Sequence, residues 1–249
     1  MSLSLRICLA AFLALAACKH VPTEKEKQGA QIHFDLGVQA QQNGSIQEAY
    51  SEFEKSLQMD PDFAESHNAM AILLHLSFRK LEDAIEHYRR AIEVRPTYSE
   101  AKTNLANVYL DQERYDEAIA LYAEALNDML YPTPFIAQGN MGWAYYKKGE
   151  TARAIESIKS ALTTHPQFCL GYKNLGIIYD ETGDPTEACV QFGRYREACP
   201  EHADTYLREG VCQAKTGQTE AAKASFALCE EKASARAMKD DCRKLRERL

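Results

Sequence analysis

The chain repeats itself with a period near 34 residues, and that self-similarity restricts its fold more than any other feature. Segments beginning at Ala30, Ala64, Ser99, Phe135, Cys169 and Ala203 align with one another. At their seventh and eighth places stand Leu36-Gly37, Met70-Ala71, Leu105-Ala106, Met141-Gly142 and Leu175-Gly176, and Glu209-Gly210 departs from the apolar rule in the last. An alanine opens the second half of each segment: Ala49, Ala84, Ala118, Ala154, Ala188 and Ala222. Four residues later come Phe53, Tyr88, Tyr122, Ile158, Phe192 and Phe226, one helical turn on and on the same face. Pro61, Pro96, Pro132, Pro166 and Pro200 close the first five segments.

Such a unit reads as two helices of about 13 residues that cross where a glycine or alanine lets the backbones approach. A large residue of the second helix fills the space beside that crossing, and the proline stops further helix because it lacks an N–H. The pattern resembles the tetratricopeptide repeat (TPR), in six copies over residues 30–230. One hairpin cannot bury its apolar faces alone, so neighbours stack. The resemblance implies an all-α, right-handed superhelix of six repeats, bounded at 30–63, 64–98, 99–134, 135–168, 169–202 and 203–231. The spacing stretches by one residue in the turn Leu76–Glu82 and by two around Asn127–Pro132. Residues 232–249 read as a capping helix that lays Ala235, Met238, Cys242, Leu245 and Leu249 on the last repeat. Its Arg243, Lys244, Arg246 and Arg248 form a solvated face that suits a helix carboxy terminus.

The amino terminus carries a different signal. Met1–Arg6 is short with one positive charge, and Ile7–Ala17 is an apolar run of eleven residues. That is well below the roughly 20 residues a membrane-spanning helix needs, and small residues follow it, as in a cleaved export signal. Leu15-Ala16-Ala17-Cys18 resembles the bacterial lipobox, which implies a signal peptide over residues 1–17 and lipidation of Cys18. In such lipoproteins the thiol takes a diacylglycerol and the freed amine is acylated, commonly with palmitate; one chain holds only marginally, whereas two or three anchor stably. Residues 18–29, polar and containing Pro22, then read as a lipidated tether.

Composition narrows the function classes. Loss of residues 1–17 removes Arg6 and no acid, so 28 basic against 36 acidic groups leaves a net charge of about −8. An acidic chain lacks the basic footprint that nucleic acid requires. Six cysteines, Cys169, Cys189, Cys199, Cys212, Cys229 and Cys242, crowd the last third. An even set in an exported chain favours disulfides, and the absence of CxxC pairs argues against a metal site. In antiparallel hairpins Cys169 opens the helix whose partner Cys199 closes; Cys189 lies level with Cys212, and Cys229 faces Cys242 of the cap. The predicted pairs are therefore Cys169–Cys199, Cys189–Cys212 and Cys229–Cys242, one of 15 possible connectivities.

No GxSxG, HExxH, Walker loop or glycine-rich phosphate cradle is present, so the chain reads as a non-enzyme with no cofactor, metal or small-molecule substrate. A binding surface is expected instead on the concave side, lined by the first helix of each repeat. The ninth places are Val38, Ile72, Asn107, Trp143, Ile177 and Val211, and five of the six are apolar. Phe34, Leu76, Leu110, Ile136, Tyr146, Leu170 and Leu207 adjoin them. Phe34, Val38, Ile72, Asn107, Trp143, Tyr146, Ile177, Leu207 and Val211 are accordingly the candidate groove, suited to an amphipathic helix or apolar peptide. The basic positions of the TPR carboxylate clamp are mostly missing, with Lys173 alone beside Asn174. Asn104, Asn140 and Asn174 share the sixth place and read as local hydrogen-bonding features.

Lipobox, six repeats and the segment Ala125–Pro134 followed by Asn140-Met141-Gly142 together resemble the type IV pilus biogenesis and stability lipoproteins, the PilF/PilW group of pilotins with a Tgl-like branch. The resemblance covers the whole chain, although the distal cysteines are not a general mark of the group. It implies a lipid-anchored protein on the periplasmic face of the outer membrane that binds secretin subunits and promotes their targeting and assembly for type IV pili. Lys19 follows the lipidated cysteine where inner-membrane retention in enteric bacteria uses Asp, which accords with outward sorting. Two other readings stay open: a TPR adaptor lipoprotein docking other envelope enzymes or machines, and an oligomeric envelope scaffold.

Overall fold

A computed structural model describes residues 21–249, so the signal segment and Cys18 lie outside the described residues. Thirteen α-helices and no strand make up the described residues. They form six antiparallel hairpins: α1 (Glu24–Gln42) with α2 (Ile46–Met59), α3 (Ala64–Leu76) with α4 (Leu81–Val94), and α5 (Ser99–Asp111) with α6 (Tyr115–Leu126). The series continues with α7 (Pro134–Lys147) and α8 (Thr151–Thr164), α9 (Cys169–Glu181) and α10 (Pro185–Ala198), and α11 (Ala203–Lys215) and α12 (Thr219–Lys232). A last helix, α13 (Arg236–Glu247), packs on α12. Each hairpin stacks on the next, giving an all-α repeat solenoid. No described helix is long and apolar enough to cross a membrane.

The crossing inside each hairpin follows from side-chain size. A methyl group added at Gly37 would sit 2.5 Å from the Phe53 ring, and at Gly176 the same distance from Phe192. At Gly142 it would meet Ile158 at 2.6 Å and the Ala154 carbonyl oxygen at 3.0 Å. Ala71 and Ala106 take the equivalent place opposite Tyr88 and Tyr122, all four fully buried or nearly so. Packing at this density leaves no room for a larger residue.

Two sequence expectations need correction at the ends. Glu24–Gly29 is not tether but the opening of α1. Thr23 and Glu26 form a reciprocal capping box there: Glu26 N donates to Thr23 Oγ1 at 3.3 Å and Thr23 N donates to Glu26 Oε2 at 2.7 Å. Lys232 belongs to α12, and the capping helix begins only at Arg236, so Ala235 is its N-cap and Leu249 is 40% exposed. Of the cap residues only Cys242 is fully buried, with Met238 partly buried beside it.

The stretched segment between α6 and α7 folds back on α5. Tyr131 is buried and its hydroxyl donates to Thr103 Oγ1 at 3.0 Å, while Asp128 accepts from Ser99 Oγ at 2.8 Å and from Leu130 N at 2.9 Å. One apolar cluster runs unbroken from the first repeat to the first helix of the fourth. Beyond Tyr145 the core divides into three smaller clusters. Disulfides occur in that thinner half: Cys169–Cys199, Cys189–Cys212 and Cys229–Cys242, with Cα–Cα distances of 6.0, 5.5 and 6.0 Å. A cross-link there restrains the unfolded chain where apolar burial contributes least.

Candidate functional site

The odd-numbered helices line the concave face, and neighbours along it touch from α1 through α9. Every candidate groove residue from Phe34 to Val211 is half-buried, but they do not form one continuous trough. Phe34 is wedged between Phe53 (ring centroids 5.9 Å) and Phe63 (5.5 Å), and Val38 packs on the same amino-terminal core. Ile177 leans on the cluster of Phe192 and Cys212. Tyr146 stacks beside Trp143 at 5.4 Å and donates its hydroxyl to Glu181; burial and that carboxylate push its pKa up to about 12. These four are spent largely on internal packing.

Two separate hollows hold the rest. Ile72, Asn107 and Trp143 line a cavity of about 640 Å³ that spans repeats two to five. Leu207 and Val211 line another of about 560 Å³, to which Lys244 and Leu245 of α13 and its C-cap Arg248 also contribute. The capping helix therefore contributes to a concave wall, while its Arg243 and Arg246 converge on Glu230 at 2.8 and 3.0 Å. Lys173 is not a free clamp cation: it pairs with Asp204 at 2.8 Å. Burial pushes the Asp204 carboxyl up, but Lys173 and Arg208 outweigh it and hold the group below the usual carboxylate range.

The larger cavity is less apolar than the ninth places alone predict. Ile72, Leu76, Leu110, Trp143 and Leu170 supply apolar wall, and Leu76 and Leu170 are 64% and 42% exposed. Between them stand Glu100, Asp111 and Glu113, which the repeat alignment does not single out because they belong to helix ends and a turn. Glu113 reaches the rim through a left-handed backbone, φ 61°, at a turn position where four other repeats carry glycine. Asn104, Asn140 and Asn174 all line this cavity. Asn104 Nδ2 donates to Asn68 Oδ1 at 3.2 Å and Asn140 Nδ2 to Asn107 Oδ1 at 2.9 Å, so both are indeed local bonding features that tie successive repeats. Asn174 has no such partner.

Among the described residues no group of three or more His, Cys, Asp or Glu side chains could hold a metal ion. What the surface can do is bind: it offers an indole, aliphatic walls, carboxamides and carboxylates in one hollow.

Tetratricopeptide-repeat family profiles match residues 69–133 and 140–167. The chain is 29% identical to the type IV pilus assembly protein PilF of Pseudomonas aeruginosa over 142 residues, 56% of each chain. It is 26% identical over 177 residues to the STIP1 homolog of Dictyostelium discoideum, 58% of this chain and 30% of that one. The matched part thus spans less than two thirds of either relative. In three dimensions the chain is similar to PilW, a type IV pilus biogenesis factor, with a TM-score of 0.76 at 24% identity over 86% of this chain and 98% of that one. For the solved structure of Pseudomonas aeruginosa PilF the TM-score is 0.72 at 18% identity, covering 89% of this chain and 99% of that one. Those structural likenesses establish the fold. The chain has the tetratricopeptide-repeat fold, is similar in sequence to PilF, and shares its fold with PilF and PilW.

Proposed function

We propose that this protein is a pilotin: a lipoprotein anchored through Cys18 to the periplasmic face of the outer membrane, which holds a segment of a secretin subunit on its concave face and promotes assembly of the pilus exit ring. The observation that carries the reading is the open cavity around Trp143, on a solenoid related to pilus assembly proteins. Lipid on Cys18 would confine that cavity to a membrane surface and raise the effective concentration of a bound subunit there. Holding the segment also keeps unpaired strand edges and apolar surface of an unassembled subunit from associating wrongly.

Deletion of the protein tests the reading, with heat-resistant secretin multimers and pili as the readout. Loss of both is expected. Normal multimers with normal pili would exclude a pilotin and leave the adaptor role. Replacement Cys18→Ala should release the protein from the membrane fraction, and persistence there would overturn the anchor.

A further inference from the structure

We propose that Met129 and Leu130 dip into the lipid surface, giving the solenoid a second membrane contact beside its acyl anchor. This rests on the proposed lipid at Cys18 and on nothing else in the pilotin reading. Cys18 stands three residues before Val21, so the chain between them spans at most about 11 Å. A bilayer that holds Cys18 therefore holds the start of α1 within that distance. In antiparallel hairpins the starts of the odd-numbered helices share one edge with the ends of the even-numbered ones. Hydrogen bonds run along that edge from the first repeat to the third. Ser56 Oγ, near the end of α2, donates to the Ala30 carbonyl oxygen at 2.8 Å and lies 2.6 Å from Ser66 Oγ. Asn68 Nδ2 donates to Glu100 at 3.3 Å, and Ser99 Oγ to Asp128 at 2.8 Å. The segment that carries Met129 and Leu130 thus lies on the same edge as Val21.

Exposure singles out that edge. Met129, Leu130 and Val21 are the three most exposed large apolar side chains among the described residues, at 98%, 90% and 78%. Groups on either side hold the tip in place: Tyr131 is buried with its hydroxyl on Thr103, and Asp128 accepts from Ser99 and from Leu130 N. A pegged turn thus presents two apolar side chains to solvent. Water around them is unfavourable, and transfer to the acyl boundary of a bilayer removes that cost. Residues 127–134 hold no lysine or arginine, so the contact draws on apolar area and not on anionic headgroups. With this edge down, the odd-numbered helices stand on the bilayer, and the concave face opens along the membrane.

The experiment reconstitutes the membrane-purified protein into phosphatidylcholine vesicles whose acyl chains carry bromine, a contact quencher of tryptophan. Trp143, the chain's single tryptophan, gives the baseline, and Met129→Trp adds an indole at the loop tip. Asn43→Trp is the control, exposed at the far end of α1, a helix of 19 residues and about 28 Å. The indole added at position 129 should be quenched and blue-shifted, that at position 43 neither, and salt should change neither result. Leu130→Trp repeats the reading from the neighbouring position. Adding Leu130→Asp to Met129→Trp should abolish the quenching; quenching that persists would mean that the new indole drives its own insertion, and would overturn the proposal. Flotation reads the anchor separately. Protein that fails to float overturns the anchor, and this placement with it. Protein that floats, with indoles at 129 and 130 quenched no more than that at 43, leaves the anchor standing and overturns the second contact. A loop that serves a protein partner instead gives that last result.

Discussion

The Asn140 carboxamide donates to Asn107 Oδ1 across 2.9 Å, joining the inner helices of the third and fourth repeats at a point where Asn107 also accepts from the Tyr122 hydroxyl. Tyr122 is fully buried, so its hydroxyl has no water to turn to. Replacement Asn107→Leu should therefore destabilise the protein by about 1–3 kcal/mol. Urea denaturation measures it, and an unchanged midpoint would contradict the arrangement.

His67 and His87 face each other with their Nδ1 atoms 2.9 Å apart. Burial pulls both pKa values down, that of His87 to about 4, with His67 adding to the effect and Asp83 opposing it; Asp60, Asp62 and Arg90 surround His67. The unfolded chain titrates these rings near 6.5, so below that pH it binds more protons than the native state. Their contribution is complete above pH 6.5 and declines as the pH falls through 6.5 toward about 4. Urea midpoints should drop between neutral and mildly acidic buffer, and the double variant His67→Gln/His87→Gln should lose part of that drop. Equal slopes for the two proteins would refute the assignment.

At Gly142 a side chain would strike not only Ile158 but the Ala154 carbonyl oxygen, and backbone cannot step aside as a side-chain tip can. Gly142→Val gains little helix propensity to offset the collision. A loss of at least about 2 kcal/mol is expected. Thermal melting of the purified variant is the check, and a wild-type midpoint would show that the hairpin opens freely.

Arg79 adopts φ 56° in the turn after α3, the conformation that Gly44, Gly149, Gly183 and Gly217 supply elsewhere. Its side chain lies on the surface, so Arg79→Gly removes strain without removing packing. The variant should be more stable by about 0.5–1 kcal/mol. A lower melting temperature would mean that the longer turn is set by other contacts.

Helix α13 buries only Cys242, which is bonded to Cys229, and adds the surface pairs of Arg243 and Arg246 with Glu230. Exposed ion pairs contribute little, so the disulfide holds the cap. Cys242→Ser should leave repeats one to three as protected from hydrogen exchange as before, and expose α12 and α13 within the exchange-labelling time. Overall stability of the distal half should fall by about 2–4 kcal/mol. A non-reducing peptide map that joined Cys242 to any cysteine but Cys229 would reject this account.

Much of the architecture is readable in the chain because its cause is local. Gly37 with Phe53, or Ala106 with Tyr122, lie within one hairpin, and a small residue opposite a large one is required wherever two helices cross closely. The capping box of Thr23 and Glu26 was equally local, yet it hid in a stretch whose charge and Pro22 point to a tether. Groove assignment from the ninth places reached Ile72, Asn107 and Trp143, which do share a hollow. It failed to see that Phe34 is taken up between Phe53 and Phe63, because that depends on how the first repeat leans on the second.

The amino-acid sequence alone determined the repeat, the crossing residue pairs and the number of hairpins, since each follows from periodicity and size within some 34 residues. Tertiary structure alone decided which side chains meet across the concave face. Glu113 comes from a turn, Trp143 from the middle of α7 and Asn174 from the helix beyond, and no spacing rule joins them. Their company is set by the lean of one hairpin on the next, a sum of many small contacts. That same stacking left Asn174 buried, with no protein partner for its amide among the described residues.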